Sequence, residues 1–342
     1  MTNLTQNERS VCLLAIESSC DETSASVLCN GKIRSNCIAS QKEHAGFGGV
    51  IPEIASRAHM RNIVPVVDEA LQIAGVKKDQ LDAIAFTSGP GLIGSLLVGA
   101  SFAKAMALAL NIPLISINHM QAHVLAHFIA DPKPGFPFLC LTVSGGHTQI
   151  VYVEDFFEMK IAGQTLDDAA GEAFDKTATL LGLPYPGGPV MDELAMTGNP
   201  FRFLFPEPKI ADLNFSFSGV KTAILYFLQR EKSKNPDFIK ENLNDFCASV
   251  QHSIVIILIN KIRKAAKQFE CNEIAIAGGV SANSYLRKKL TQEAEKNNWH
   301  LYIPETEYCT DNAAMIAMAA YYKFLVNDFV PQTVSPSARM YF

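Results

Sequence analysis

The segment Ile117-Asn-His-Met-Gln-Ala-His-Val-Leu-Ala-His127 repeats histidine at every fourth residue. Residues four apart on a helix stand one turn above each other on the same face, so His119 and His123 can aim both imidazoles at one ion. His127 drifts further round. Two neutral imidazoles suit a divalent transition metal, and a third ligand, an oxygen, must come from elsewhere. Spacing alone divides evenly between a metal site and a chance run of histidines. It also admits a metallopeptidase, whose His-Glu-x-x-His turn carries its own general base. Here Met120 and Gln121 follow His119, no carboxylate lies on that turn, and the peptidase reading loses its base.

The glycine-bearing loops suggest a second chemistry. Ser144-Gly-Gly-His-Thr148 lies between two apolar runs. Glycines there let the backbone approach a phosphate or carboxylate, and consecutive amides can form an anion nest. Glu17-Ser-Ser-Cys-Asp-Glu-Thr23 holds the equivalent place earlier in the chain. Its Asp21 and Glu22 can manage a cation or a proton, and Ser18, Ser19 and Thr23 can donate hydrogen bonds. Gly278-Gly-Val-Ser-Ala-Asn283 suits a nucleoside, and Tyr185-Pro-Gly-Gly-Pro189 with Asp192 suits a ribose. Each loop alone is ordinarily a turn; several of one kind favour a nucleotide. No GxxxxGK[ST] occurs, so this is not a Walker loop.

Other polar groups have plainer readings. Gln251-His252 with Lys261, Lys264 and Lys267 reads as a solvated helix face. Lys176 and Lys221 can neutralise phosphate, although surface cations are the ordinary case. Asp167, Asp168 and Glu172 can cap or start the helix that holds Phe174 with no chemistry at all.

The elements that must position these residues follow from periodicity. Val11–Ile16 and Ala25–Cys29 bracket one polar turn, and Phe138–Val143 and Gln149–Val153 bracket another. Each hairpin is followed by helical and further strand material. Helices are expected over Asn62–Ala74, Gly94–Leu110, Phe246–Phe269, Asn283–Asn297 and Asn312–Phe324. Strands are expected over Leu81–Thr87, Pro113–Ile117, Glu273–Ala277 and Leu301–Ile303. The alternation gives an α/β fold made of two similar halves, joined at the turn Asp131-Pro-Lys-Pro-Gly135. Pro184–Ser218 is too long for a plain connection, and such segments are often functional.

Composition bounds the rest. A chain of 342 residues with 48% hydrophobic and 18% charged residues fits a well-packed enzyme of two lobes. A net charge of −5 excludes a general affinity for nucleic acid, so RNA contact needs a local patch or a helper protein. The cysteines form no CxxC pair and read as buried reduced thiols rather than a disulfide framework. The N-terminal residues read as neither a signal nor a transit peptide. Ser95–Ile117 is broken by Lys104, Asn111 and Pro113 and reads as a buried helix and strand, not a membrane span.

These residues resemble a known family, the universal tRNA threonylcarbamoyladenosine synthase catalytic subunits, once labelled O-sialoglycoprotein endopeptidases. The matching segments are IESSCDET (16–23), GGVIPEIASRAHM (48–60), SGPGLIGSLLVG (88–99), HMQAH (119–123), VSGGHTQ (143–149), DDAAGEAFDKTA (167–178), YPGGP (185–189), FSFSGVKT (215–222), AGGVSAN (277–283) and CTDNAAMIA (309–317). The tail after Pro331 matches only loosely.

The resemblance implies a duplicated actin/Hsp70/sugar-kinase-like α/β fold with two lobes and a central cleft. It implies an N-terminal lobe over 1–135, with a helix at about 312–330 packing back on it. The C-terminal lobe spans 136–311 with an insertion at about 184–218, and a tail follows over 331–342. The implied reaction moves threonylcarbamoyl from L-threonylcarbamoyl-adenylate to N6 of adenosine 37 in tRNAs reading codons that begin with A, releasing AMP. The implied metal ligands are His119, His123 and Asp311, for iron(II) or alternatively zinc. The implied substrate contacts are Thr142, Val143, Ser144, Gly145, Gly146, Asp175, Gly188, Asp192 and Asn283. Asp21 and His147 are the candidate catalytic residues. The implied partners are the tRNA anticodon loop, a paralogous non-catalytic subunit and a small ATPase, in the cytoplasm with no membrane. The family's bacterial members often carry a His pair where this chain has Asn118-His119. Competing expectations are a small-molecule kinase on the same fold, which does not need a two-histidine helix, and a non-catalytic nucleotide-binding regulator, which would lose the His pair and Asp311.

Overall fold

The computed structural model describes residues 11–40 and 49–342. Among these residues the strands form two sheets of five. In the first, β1 (Cys12–Glu17), β2 (Thr23–Cys29) and β3 (Lys32–Ala39) make an antiparallel meander. To it β4 (Ala83–Gly89) and β5 (Leu114–Asn118) add in parallel, in the order β3-β2-β1-β4-β5. The second repeats this with β6 (Phe138–Val143), β7 (Thr148–Val153), β8 (Met159–Gln164), β9 (Glu273–Ala277) and β10 (His300–Tyr302), in the order β8-β7-β6-β9-β10. Counted within each sheet, the two orders are identical, so the duplication read from the hairpins extends to every strand.

The chain divides into two compact units. Of the described residues, one holds 11–40, Pro52–Ile129 and Asp311–Tyr341; the other holds 49–51, Ala130–Thr310 and Phe342. The first contains α1 (Pro52–Ala74), α2 (Ile93–Leu110), α3 (His119–Leu125) and α9 (Ala313–Leu325). The second contains α4 (Ala170–Leu180), α5 (Gly187–Ala195), α6 (Ser218–Lys234), α7 (Phe238–Gln268) and α8 (Ser284–Asn297). Central strands β1 and β6 are buried along their whole length because helices or sheet cover both faces, which is why they read as unbroken apolar runs. The first core gathers Leu14, Ile16, Ile63, Val67, Phe86 and Ala103. The second gathers Phe174, Phe215, Phe246, Ile254 and Leu258.

Several expectations are corrected. The histidine helix stops at Leu125, and His127 lies in a separate 3-10 turn, Ala126–Phe128. α1 begins at Pro52 rather than Asn62, with proline in the first turn, where a missing N–H costs nothing. α7 likewise begins at Phe238, well before Phe246. The Pro184–Ser218 stretch, too long for a plain connection, indeed contains α5. Cys12 and Cys29 are joined in a disulfide. They are directly opposed across the β1–β2 ladder, where facing side chains come close enough to bond, and a reading by sequence spacing missed that register.

Two helices, Ile93–Leu110 and Phe238–Gln268, are long and apolar enough to cross a bilayer. α2 buries Ser95, Leu96, Gly99, Ala100, Ala103 and Ala107 along one face in the first core, and two-thirds of the apolar window of α7 is buried in the second. α7 is thus a core helix, whereas only a third of the α2 window is buried.

Candidate metal centre and the glycine loops

α3 owes its start to Asn118. Its side-chain Oδ1 accepts from Met120 N at 2.9 Å and Gln121 N at 3.2 Å, satisfying amides that have no partner within the helix. The cap fixes the helix directly off the end of β5 and points His119 and His123 the same way, with ring centroids 4.7 Å apart. Asp311 arrives from the other end of the sequence. It immediately precedes α9, whose first amides are held by Ser24 Oγ (to Ala313 N, 2.9 Å), Asn36 Oδ1 (to Ala314 N, 3.2 Å) and Asn312 Oδ1 (to Met315 N, 3.0 Å). Strands β2 and β3 therefore pin the start of α9 and Asp311 with it.

The three groups converge. Asp311 Oδ1 lies 3.4 Å from His119 Nε2 and 3.2 Å from His123 Nε2, and one potential ligand atom from each residue lies within 4.8 Å of the others. Both Asp311 distances are shorter than two metal–ligand bonds laid end to end, about 4 Å for zinc with nitrogen and oxygen donors. The donor set, two imidazoles and one carboxylate, suits a divalent transition metal. His123 Nδ1 is buried with no hydrogen-bond partner, so that ring is committed to Asp311 and to whatever the cluster holds. The residues present fit a metal.

Behind His119 stands Glu17, wholly buried at the end of β1. Its Oε2 accepts from Thr87 Oγ1 at 2.6 Å and faces His119 Nδ1 at 3.1 Å, while Oε1 accepts from Ser19 N. Ser19 Oγ lies 3.2 Å from the same Nδ1. A carboxylate against the far nitrogen of a ligand histidine fixes its tautomer and raises its basicity. Burial opposes charge on all these groups, but the opposite charges outweigh it. His119 is held well above the usual histidine value by Asp311 and Glu17. Asp311, beside His119 and His123, is held far below the carboxylate range, and Glu17 is lowered chiefly by His119. Glu17 and Asp311 therefore favour the protonated form of His119, with which an incoming cation competes. Glu22 goes the other way, pushed up to about 9 by burial and then by the charges of Asp311 and Asp21.

The Glu17–Thr23 turn is itself anchored. His59 of α1 bonds Thr23 Oγ1 through Nδ1 at 2.8 Å and Cys20 O through Nε2 at 2.9 Å. Asp21 lies on this turn, in the same unit as the metal candidates, and His127 is buried outside the cluster.

The remaining candidates lie in the second unit. Thr142 and Val143 end β6, and Ser144 closes the β6–β7 turn, its N donating to His147 O at 2.8 Å while its Oγ accepts from His147 N at 3.1 Å. At Gly145 and Gly146 an added Cβ would meet nothing within 4 Å, so the protein leaves space along that turn. Asp175 Oδ1 accepts from Gly187 N at 2.8 Å and Gly188 N at 3.2 Å, which caps α5 and brings Asp175 to Gly188. Burial pushes the Asp175 carboxyl up. Asp192 is a hub: Oδ1 accepts from Asn283 Nδ2 at 3.2 Å, Ser284 Oγ at 2.8 Å and Gln251 Nε2, and Oδ2 from Ser284 N at 2.9 Å. Asn283 also caps α8 through Leu286 N at 2.9 Å.

Two readings change here. Asp167 serves α6 rather than α4, accepting from Phe217 N at 2.8 Å and Ser218 N at 3.3 Å. Lys176 and Lys221 are both engaged by Asp168. Lys264 and Lys267 are exposed, as a solvated face requires, and Lys261 and Lys264 also donate to main-chain carbonyls of Ile210 and Asp212. Sequence reasoning missed Glu17, Thr87, Gln251 and Ser284. Glu17 carried a signal, an acid at the end of an otherwise apolar strand; the others carried none without the fold.

The doubled sheet places the chain in the actin-like α/β class. Component A of (R)-2-hydroxyglutaryl-CoA dehydratase from Acidaminococcus fermentans matches 92% of this chain and 99% of its own, with a TM-score of 0.54 at 15% identity. HypF of T. kodakarensis matches 95% of this chain and 49% of its own, with a TM-score of 0.59 at 13% identity. At such identities the likeness concerns fold alone. Sequence relatives narrow the class. The tRNA N6-adenosine threonylcarbamoyltransferase of Christiangramia forsetii is 57% identical over 98% of this chain and 100% of its own, and that of Cytophaga hutchinsonii is 56% identical over 98% of each. The match to the family described as tRNA N6-adenosine threonylcarbamoyltransferase spans residues 32–318. The chain belongs to this family of tRNA-modifying transferases, which transfer a threonylcarbamoyl group to N6 of an adenosine in tRNA.

Proposed function

We propose that this chain takes threonylcarbamoyl from L-threonylcarbamoyl-adenylate and delivers it to N6 of adenosine 37 in tRNAs reading codons that begin with A. The observation that carries the reading is the convergence of His119, His123 and Asp311, backed by Glu17. In the step itself, the N6 lone pair attacks the carbamoyl carbon, the bond from that carbon to the phosphate oxygen breaks, AMP leaves and N6 gives up a proton. Asp21 and His147 are the candidate acceptors of that proton. A divalent ion held by His119, His123 and Asp311, iron(II) first and zinc second, supplies Lewis acidity. Glu17 and Ser19 hold His119 with Nε2 presented. Within Thr142 to Gly146, the Gly145–Gly146 turn offers open space for phosphate. Asp175, Gly188, Asp192 and Asn283 receive the adenosine, with Gln251 and Ser284 fixing the carboxylate of Asp192. The acceptor base must be exposed to react, which an anticodon loop permits.

The net charge of −5 favours help in tRNA capture, from a paralogous non-catalytic subunit and a small ATPase in the cytoplasm. Exposed apolar side chains on α1 and α2, among them Met60, Val64, Leu97 and Leu108, support a protein partner. The test follows labelled threonylcarbamoyl onto tRNA alongside metal analysis. Stoichiometric metal and transfer in the native chain, both lost in His119→Ala with His123→Ala, is the expected result. Full metal and full transfer in that variant would overturn the metal assignment, and ATP-dependent phosphorylation of a small acid or sugar would favour a kinase instead.

A further inference from the structure

The chain after α9 returns along the first unit. Val330 N donates to Leu114 O of β5 at 2.9 Å, and Lys104 Nζ of α2 donates to Val334 O at 2.9 Å. Ser337 N then donates to Ser88 O at 2.8 Å, Ala338 O accepts from Gly91 N at 3.2 Å, and Tyr341 O accepts from Asn118 Nδ2 at 3.0 Å. We propose that Val334–Tyr341 is a backbone strap that positions the His119–His123 helix for its metal, acting through Asn118 and the Ser88–Gly91 turn. The inference rests on the metal reading above and adds a positioning device to it.

Two routes connect the strap to His119. The first is the Asn118 amide. Its oxygen caps α3 while its nitrogen holds the strap, so one planar group ties the two together. The second runs through the turn. Gly91 N holds Ala338 O, the next residue Leu92 donates its N to Ser19 O at 2.7 Å, and Ser19 Oγ reaches His119 Nδ1. Ser88 Oγ also donates to Ile117 O at 3.0 Å, at the end of β5.

Gly89 shows that the fit is tight. Its φ of +147° lies where side chains rarely go, and an added Cβ would stand 2.1 Å from Ser337 O. The strap is held largely by its main chain, with Met340 Sδ accepting from Ser88 Oγ at 3.7 Å and Val334 packed on the first core, while Ala338, Arg339 and Tyr341 are exposed. Such a grip fixes the path and leaves the exposed side chains free to vary.

The test uses the full chain, Asn118→Asp, Gly89→Ala and a chain ending at Thr333. Zn²⁺ affinity is measured by chelator competition, and main-chain amide exchange is followed over residues 118–125. Asn118→Asp keeps the capping oxygen and loses the donor to Tyr341 O. Each variant is expected to bind Zn²⁺ about tenfold or more weakly, the range seen when outer partners of a metal ligand are removed. Exchange over 118–125 should rise in step. Asn118→Asp made in the shortened chain should cost nothing further, because both changes cut one link. Native affinity and native exchange in Asn118→Asp overturn the proposal, and this variant decides alone if the shortened chain does not fold. If the native chain takes up no Zn²⁺, the metal reading fails and exchange decides the strap: faster exchange in Asn118→Asp supports it, unchanged exchange overturns it.

Discussion

The Glu17–Thr23 turn joins β1 to β2, and the Ser144–His147 turn joins β6 to β7 at the same place in a sheet of the same order. The first is dense with side-chain contacts: Glu17 and Ser19 on His119, Thr23 and Cys20 on His59. The second presents two glycines beside space the protein does not fill. One fold position has been used twice, once to hold imidazoles rigidly with buried carboxylate, once to leave main-chain amides open. A site built of side chains needs every partner in place, whereas a site built of backbone needs only clearance. The two units should therefore fail separately.

The largest effect expected from that contrast is His119→Ala with His123→Ala. Lewis acidity worth several kcal/mol corresponds to a loss of transfer of about a thousandfold. Metal should disappear from the purified protein while adenosine, titrated by calorimetry, binds within about threefold of the native chain. Loss of adenosine binding as well would break the separation. The converse variant is Asp192→Ala. It leaves the buried Gln251 amide without its partner and frees the more accessible Asn283 and Ser284, and an unsatisfied buried group costs about 1–3 kcal/mol. Adenosine should bind about 10- to 100-fold more weakly with metal content unchanged, and depleted metal would sink the idea.

Much of this contrast was legible before any coordinates. The hairpins, the His119/His123 pair and the glycine turns follow from short-range pattern, because a helical turn and a strand alternation are local. Asp311 was not reachable that way: it joins the histidines only because Ser24 and Asn36 hold the start of α9. The family resemblance supplied it instead. Glu17 was overlooked because the eye goes to Asp21 and Glu22 in the same turn, while burial against Thr87 is a property of the β1–β4 pairing. The strap was illegible for a stronger reason, since it is held largely by main-chain atoms common to every residue. The Cys12–Cys29 pair depended on register, which sequence separation does not reveal.

The acid–base state of the first turn gives a sharper, smaller test. His119 is held above its ordinary value, so below that raised value the protein without metal carries a proton there that binding must expel. Apparent Zn²⁺ affinity should rise about tenfold per pH unit as pH climbs toward the raised value, and level off above it. The stability of the metal-free protein should move oppositely. The contribution from raised His119 is full below the ordinary histidine value and is lost as pH climbs through the raised one. Those from lowered Asp311 and Glu17 are present above the ordinary carboxylate range and are lost in acid. Glu17→Gln should lower the pH at which affinity levels off. A Zn²⁺ affinity that ignores pH between 6 and 8, roughly the range in which histidines titrate, would falsify the shared proton.

The smallest effect separates cations that serve phosphate from cations that serve the protein. Lys176 Nζ stands 2.5 Å from Glu172 and 3.3 Å from Asp168, while Lys221 Nζ stands 2.5 Å from Asp168, whose carboxyl is lowered by these partners against its own burial. Both charges are thus already compensated, although sequence alone offered them to a phosphate. The Lys176 side chain is 43% exposed, and exposed pairs are worth at most about 1 kcal/mol. Lys176→Ala should lower the unfolding free energy by less than that in denaturant titration and leave AMP affinity unchanged. A tenfold drop in AMP affinity would mean that Lys176 leaves Asp168 for the phosphate. The open glycine turn would then not hold the anion on backbone alone, and the contrast between the two turns would have to be redrawn.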